Sequence, residues 1–313
     1  MGKIALLFPG QGSQYVGMGK PLYELSPCSR EIFDQVDVIH PGTSKLCFEG
    51  PAEALNQTKN TQPSIFAVEL AALAALKCVG VEVQGIAGFS LGEVTGLVAS
   101  GVLSMEDGLK FVKKRGQAME EAAQMTPAAM VAVLKLDNIK VETLCKEFNQ
   151  CYPVNYNCPG QLVVALLKED QELFLTRVKE LGGRGIPLTL SGGFHSPFMT
   201  YATKLLEKKI YELRFSEGAI PLYSNASAKP YPAAPVDIRS NILHQINHPV
   251  LWEQTMHNMI ADGFTTFIEC GPGKTLSGFM KKIDKSVTCY HVETLLTDYL
   301  EAKNAGKEWS FVC

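Results

Sequence analysis

"QGIAGFSLGEVTGLVASG", residues 84–101, joins a short apolar run to a helical one through a serine flanked by glycines. Residues 84–89 predict a buried strand, and the run from Leu91 predicts a helix with Gly101 as its C-terminal cap. Between them, Gly88-Phe89-Ser90-Leu91-Gly92 is the Gly-x-Ser-x-Gly pattern of a nucleophile elbow. In that arrangement the serine sits on a sharp strand-to-helix turn, and the glycines relieve the crowding around it. The helix beginning just after it offers unpaired N–H groups and a positive dipole end, both suited to an oxyanion. Serine is also among the commonest N-cap residues. The stretch alone therefore admits two readings of Ser90, a nucleophile or a helix cap.

Outward from this stretch, apolar β-branched runs alternate with longer helical ones, which predicts an α/β fold. "KIALLF" (3–8) is expected as a strand ending in the glycine-rich turn "PGQGSQ", and residues 61–79 as a helix with Pro63 in its first turn. Between about 126 and 190 the order becomes strand 128–136, helix 138–149, strands 152–157 and 161–167, helix 170–183 and strand 184–190. That is the β-α-β-β-α-β succession of ferredoxin-like modules. Long helices resume from 197, with short strands near 220–224 and 265–269 and a loose tail over the last dozen residues. The expected organisation is a large α/β-hydrolase-like domain with a parallel sheet, residues 1–124 and 198–313, carrying a small ferredoxin-like domain inserted at 125–197.

Composition excludes several classes of function. With 46% hydrophobic and 19% charged residues and a net charge of −3, the chain is globular, and no Lys/Arg run suits nucleic acid or an anionic membrane. The apolar run at the amino terminus is too short for a signal-peptide core, Leu6 breaks the myristoylation pattern, and Glu69 and Lys77 interrupt the alanine-rich stretch. A cytoplasmic protein is expected. Its nine irregularly spaced cysteines are accordingly expected as reduced thiols. No CxxC or HExxH occurs, and His244 and His248 lack acidic or thiol partners at ligand spacing, so no metal is expected. The glycine-rich turns fail as nucleotide loops. A Walker loop ending at Lys20 would need glycine where Gln14 stands, a dinucleotide fingerprint from Gly10 meets Tyr15, and "ECGPGKT" would place its leading glycine on Ile268.

A nucleophilic serine needs a base. Of six histidines, His40 lies in a Pro/Gly loop, His257 on a helix, His291 in a late strand, and His244 and His248 flank "HQINH". His195, in the irregular turn "SGGFHSPFM" after a strand, is the candidate, since such loops often carry function. A solvent-exposed turn histidine is the alternative.

"LFPGQGSQYVGMG", "TQPSIFAVELAAL", "GFSLGE", "KRGQAM", "NYNCPGQLVVA", "GGFHSPFM" and "ECGPGKTLSGFMKKI" occur in this order. Together they resemble the malonyl-CoA:acyl carrier protein transacylases of fatty-acid synthesis and the related acyltransferase domains of polyketide synthases. The resemblance extends to about residue 300. It implies a Ser90 nucleophile and a His195 base, oriented by a backbone carbonyl near Gln245, with an oxyanion hole from the N–H groups of Gln11 and Leu91. It also implies that Arg115 grips the malonyl carboxylate as a bidentate fork, where the residues alone equally allow a solvated helix arginine. Phe194 matches the malonyl-preferring form of its motif. Asn157, Gln161 and Arg184 match positions that contact pantetheine and phosphates in relatives, although they could equally be turn residues.

The implied partners are malonyl-CoA and acyl carrier protein. No cofactor is implied, CoA thioester being a substrate, and a monomer is expected. The chain departs from many relatives in carrying Phe89 where they have histidine, which replaces a donor beside the acyl pocket with apolar bulk. Two alternatives remain at this level: a thioester hydrolase using the same Ser/His pair, and a non-catalytic module that binds CoA or carrier protein.

Overall fold

The strands are, in chain order, β1 (Lys3–Phe8), β2 (Gly85–Gly88), β3 (Ala128–Leu134), β4 (Cys151–Cys158), β5 (Gln161–Leu167), β6 (Arg184–Pro187), β7 (Leu222–Tyr223), β8 (Phe264–Glu269) and β9 (Thr288–His291). The computed structural model describes residues 2–189, 192–309 and 311. β1 is apolar and buried from Ala5 to Phe8, and a strand with no polar face needs cover on both sides. It lies at the centre of a parallel sheet ordered β7-β2-β1-β8-β9. The two-residue period of the strands sends Leu6, Phe8, Ile86 and Ile268 into one core and Ala5, Leu7, Ala87 and Phe267 into another. The first core is built with the helices Thr58–Cys78 and Met105–Met125, the second with Trp252–Ala261 and Thr275–Ile283.

β3 to β6 form a second, antiparallel sheet ordered β4-β5-β3-β6. Val131, Val133, Leu162 and Val164 pack on one face against Val141, Leu144, Phe174 and Val178 of the helices Asn138–Cys145 and Gln171–Glu180. The alternate residues Met130, Ala132, Val163 and Ala165 face the larger core. Edge strand β4 is fastened to the main body at Val250, whose N–H donates to Val154 O (2.8 Å) and whose carbonyl accepts from Tyr156 N (3.0 Å). The mixed α/β architecture, with one parallel and one small antiparallel sheet, is the fold class expected from the sequence.

Several local expectations differ from the structure. The helix expected from residue 61 begins at Thr58, so Pro63 is interior to it. Its first turn is secured by the Thr61 N–H donating to Gln57 O, by the Thr61 hydroxyl donating to Leu55 O, and by close packing at Gly116, where a Cβ would lie 2.9 Å from Thr58 O. Tertiary packing here outweighs the cost of an interior proline. Cys28 and Cys78, expected as thiols, are joined in a disulfide that ties the helix Pro27–Ile39 to the end of Thr58–Cys78. Within the last dozen residues, expected as a loose tail, Trp309 and Phe311 pack on the core and meet Tyr299 and Tyr290 edge to face. β6 ends at Pro187, and residue 190, expected in that strand, lies outside the described residues.

The ends of β1 and β2 meet the helix Leu91–Ala99 in a close backbone joint. A Cβ on Gly92 would stand 2.1 Å from Phe8 O, and one on Gly88 would stand 2.0 Å from the Gly92 carbonyl carbon. Backbone atoms cannot yield as a flexible side chain would. Gly92→Ala is therefore expected to destabilise the protein by about 3 kcal/mol or more, at or beyond the top of the usual overpacking range. Denaturant unfolding of the variant measures this, and a cost below about 1 kcal/mol would show that the joint relaxes freely.

Candidate active site

Connections leave β1 toward β2 on one side of the sheet and β8 toward β9 on the other, so the carboxyl ends of β1 and β8 flank a topological switch point, where open α/β sheets bind ligands. A cavity of about 500 Å³ opens there. It is lined by the turn Pro9–Gln14, by Phe89 and Phe279, and by Asn155, Asn157 and Gln161 of the small sheet.

Ser90 stands behind this cavity at φ 54° and ψ −100°, in the left-handed half of conformational space that non-glycine residues rarely occupy. Its side chain makes no capping bond to the helix that follows. Instead Ser90 Oγ lies 2.6 Å from His195 Nε2. The helix-cap reading of Ser90 is therefore not the one the geometry adopts. His195 also has a positive φ, 62°, and its backbone N–H is anchored on Ile246 O. His195 Nδ1 faces two carbonyl oxygens, Gln245 O at 3.0 Å and His248 O at 3.1 Å. Two acceptors at Nδ1 require the proton there, which leaves the Nε2 lone pair to accept from the Ser90 hydroxyl. Burial, followed by the nearby Arg115 charge, pushes the imidazole pKa down to about 4, so the ring is neutral at physiological pH. At 3% exposure it is not a solvated turn residue.

Arg115 is equally buried, at 1% exposure, and is no surface arginine. Its guanidinium donates to Gln62 Oε1 (2.9 Å), Gln245 Oε1 (2.9 Å) and Ser90 Oγ (3.1 Å), and its Nε has no partner among the described residues. Burial lowers its pKa to about 10, which leaves it cationic. All three acceptors are neutral. A buried cation whose hydrogen-bond acceptors are all neutral retains the capacity to pair with a carboxylate.

The elbow is held from behind. Asn225, just after β7, accepts from Ser90 N at 2.7 Å and donates through Nδ2 to Gly88 O at 2.6 Å. The Gln245 side-chain amide donates to Ser90 O at 2.6 Å. Glu93, fully buried, accepts from Asn225 N (2.9 Å), Gln245 Nε2 (3.2 Å) and the Tyr231 hydroxyl. Sequence reasoning passed over Gln62, Glu93, Asn225 and Tyr231. Glu93, three residues after the serine, carried the only local signal. Asn225 and Tyr231 are brought in by the crossover after β7 and carried none. On the open side, the N–H groups of Gln11 and Leu91 have no acceptor among the described residues.

The remaining candidates divide. Asn157 and Gln161 line the cavity, and the buried Oδ1 atoms of Asn155 and Asn157 lack partners among the described residues. Phe194 is buried in the main core and does not line the cavity, while Arg184 stands exposed at the start of β6, also away from the lining. Phe89 packs against Trp252 and Phe279 at 5.5 and 6.4 Å between ring centres. His40 bonds Thr43, and His291 caps the helix Val292–Asn304, so both have structural work. Among the described residues no cluster could hold a metal ion, and no helix is long and apolar enough to cross a membrane.

The profile of the acyl transferase domain family matches residues 5–305. The chain is 40% identical over 291 residues to the malonyl CoA-acyl carrier protein transacylase of Bacillus subtilis, covering 91% of this chain and 92% of that protein. The crystal structure of the transacylase of the same name from Clostridium perfringens superposes with a TM-score of 0.89 at 36% identity, covering 97% and 99% of the two chains. A malonyl-transacylase solved in complex with a type II polyketide synthase acyl-carrier protein matches with a TM-score of 0.91 at 32% identity, covering 96% and 99%.

The tautomer and depressed pKa of His195 are open to measurement. Nitrogen-15 NMR of histidine-labelled protein is expected to show His195 neutral, with the proton on Nδ1, at neutral pH and protonating only as pH falls toward about 4. The folded pKa lies below the ordinary histidine value, so the stability linked to this ring is present above about pH 6.5 and declines as pH falls below it. A His195 resonance that titrates above pH 6 would contradict the burial described here.

Proposed function

The chain belongs to the acyl transferase domain family, and we propose that within it the protein moves a malonyl group from malonyl-CoA through an ester on Ser90 to the phosphopantetheine thiol of an acyl carrier protein. The observation that carries the substrate is the buried Arg115 cation, whose acceptors are all neutral and one of which is the Ser90 hydroxyl itself. An acyl group bearing a free carboxylate supplies the missing anion at the right distance from the nucleophile.

The steps follow from the geometry. The malonyl carboxylate pairs with Arg115, drawing the guanidinium from Ser90 Oγ. His195 Nε2 takes the hydroxyl proton as Oγ bonds to the thioester carbonyl carbon. The carbonyl oxygen becomes an oxyanion facing the free N–H groups of Gln11 and Leu91. Collapse expels the CoA thiolate, which takes the proton back from His195, and the malonyl ester remains on Ser90. The carrier thiol then gives its proton to His195 and attacks the ester, and the proton returns to Ser90 Oγ as the ester bond breaks. Asn157 and Gln161, with the unpaired amide oxygens beside them, suit the pantetheine arm. In this reading the small domain, 125–197, is an insertion between the segments 1–124 and 198–313 and forms the far wall of the cleft.

Intact-protein mass spectrometry after mixing with malonyl-CoA is expected to find one malonyl group on Ser90, and none in Ser90→Ala. Label on a cysteine, or label persisting in that variant, removes Ser90 from the role. Selectivity gives a second test. Leaving one member of a buried charge pair unpartnered costs about 3–5 kcal/mol, or roughly two to three decades in rate. Arg115→Ala should therefore lose malonyl transfer while keeping or gaining acetyl transfer. If the ratio of kcat/KM for malonyl-CoA over acetyl-CoA is unchanged in the variant, the carboxylate is recognised elsewhere.

A further inference from the structure

We propose that Glu93 is a positioning residue for acyl transfer: its carboxylate fixes Asn225 and Gln245, and these two side chains hold the Ser90 backbone in its reactive turn. The proposal rests on the Ser90 mechanism above and assigns a role to a buried acid that the mechanism itself does not use.

Ser90 is held at both ends of its own residue. Its N–H goes to Asn225 Oδ1 at 2.7 Å, and its carbonyl accepts from Gln245 Nε2 at 2.6 Å. Asn225 also bonds Gly88 O, so one side chain spans the turn from the last residue of β2 to the nucleophile. The Asn225 amide is oriented by the Ser90 N–H and the Gly88 carbonyl, but the backbone that carries it needs an anchor, and the Gln245 amide could exchange its oxygen for its nitrogen. Glu93 supplies the anchor to the first and an acceptor to the second. Its Oε2 accepts from the Asn225 backbone N–H and from Gln245 Nε2, and its Oε1 accepts from the Tyr231 hydroxyl. With Gln245 Nε2 directed at Glu93 and Ser90 O, its Oε1 must face Arg115, which donates to it at 2.9 Å. One carboxylate thereby fixes the orientation of the amide that links the acyl-binding cation to the nucleophile.

The site around Glu93 is built for an anion. Every partner is a donor: a backbone N–H, an amide NH2 and a phenol. Only the phenol can also accept, so a protonated acid, or glutamine in its place, must either reverse the Tyr231 bond or turn a donor on the Asn225 N–H and the Gln245 amide. The titratable and charged groups facing Glu93 are Tyr231, on the segment after β7, and Arg115, on the helix Met105–Met125. The helix Pro235–Gln245 presents the neutral Gln245, and the turn after β7 the neutral Asn225. Burial pushes the Glu93 carboxyl up to about 7, while the Tyr231, Asn225 and Gln245 bonds and the Arg115 charge draw it down. The clamp is thus in its working, ionised form above about pH 7 and is weakened as pH falls through that value. His195, with its pKa near 4, stays neutral over the same interval.

The test compares wild type, Glu93→Gln and Tyr231→Phe by two rates across pH. One is Ser90 labelling by a fluorophosphonate, which needs the nucleophile but no acyl recognition. The other is single-turnover acylation by malonyl-CoA. Glu93→Gln is expected to melt as a folded protein yet slow both rates by about 100-fold, the scale of a small displacement of a reacting atom, with the half-saturating malonyl-CoA concentration little changed. Tyr231→Phe keeps the carboxylate but removes a bond that lowers its pKa. Its acidic limb should move to higher pH than wild type, with rates recovering toward wild type in alkaline buffer. Glu93→Gln labelling within threefold of wild type overturns the proposal. Should Glu93→Gln fail to fold, an acidic limb in Tyr231→Phe that superimposes on the wild-type limb overturns it equally. Wild type that reacts with fluorophosphonate but not with malonyl-CoA would defeat the malonyl reading and leave the Glu93 comparison intact.

Discussion

The backbone at Ser90 occupies a conformation that costs an isolated non-glycine residue about 1–3 kcal/mol, and the rest of the site is arranged around keeping it there. The helix Leu91–Ala99 lies so close to the ends of β1 and β2 that only glycine fits at positions 92 and 88. Asn225 then gives the Ser90 N–H its partner, and Gln245 adds a second, shorter bond to Ser90 O, which also accepts from Glu93 N. The strain persists because sheet, helix and crossover loop each supply one constraint. What it gains is an Oγ directed at His195 and away from the helix it precedes.

The polarity of the site follows from burial. His195 is neutral because it is dry and stands near a cation. Its proton lies on Nδ1 because two carbonyl oxygens wait there, so no third carboxylate is needed to orient it. Arg115 remains charged in the same dry environment, with neutral oxygens as its acceptors and Glu93 beyond Gln245 as the anion facing it. A base held neutral beside a cation whose direct acceptors are all neutral suits an acyl group that brings its own negative charge. The Phe89 ring, packed on Trp252 and Phe279, lines the adjoining cavity with apolar surface.

The small antiparallel sheet reaches the chemistry through one edge. β4 is fastened to Val250, shortly after the segment whose Gln245 and His248 carbonyls orient His195. The same strand carries Asn155 and Asn157, whose unpaired oxygens lie beside the cavity. The cavity wall and the segment that orients the base are therefore joined by two backbone bonds.

The sequence by itself determined the strand-serine-helix elbow, the succession of the inserted module and the pairing of Ser90 with His195 as candidates. Each of these is written in local periodicity, glycine spacing or a motif of a few residues. It could not show that Thr58 opens a helix through Pro63, that Cys28 meets Cys78, or that Trp309 and Phe311 return to the core, because packing against distant segments decides each. It likewise gave no sign of Asn225 or Tyr231, and no role for Gln62. Their side chains matter through one or two bonds to residues more than fifty positions away, and no periodicity records such a bond. Whether Arg115 and Glu93 are buried charges or ordinary helix-surface ones was also left to the tertiary structure. A helix fixes which face a residue occupies, but only the neighbours packed on that face decide whether water reaches it.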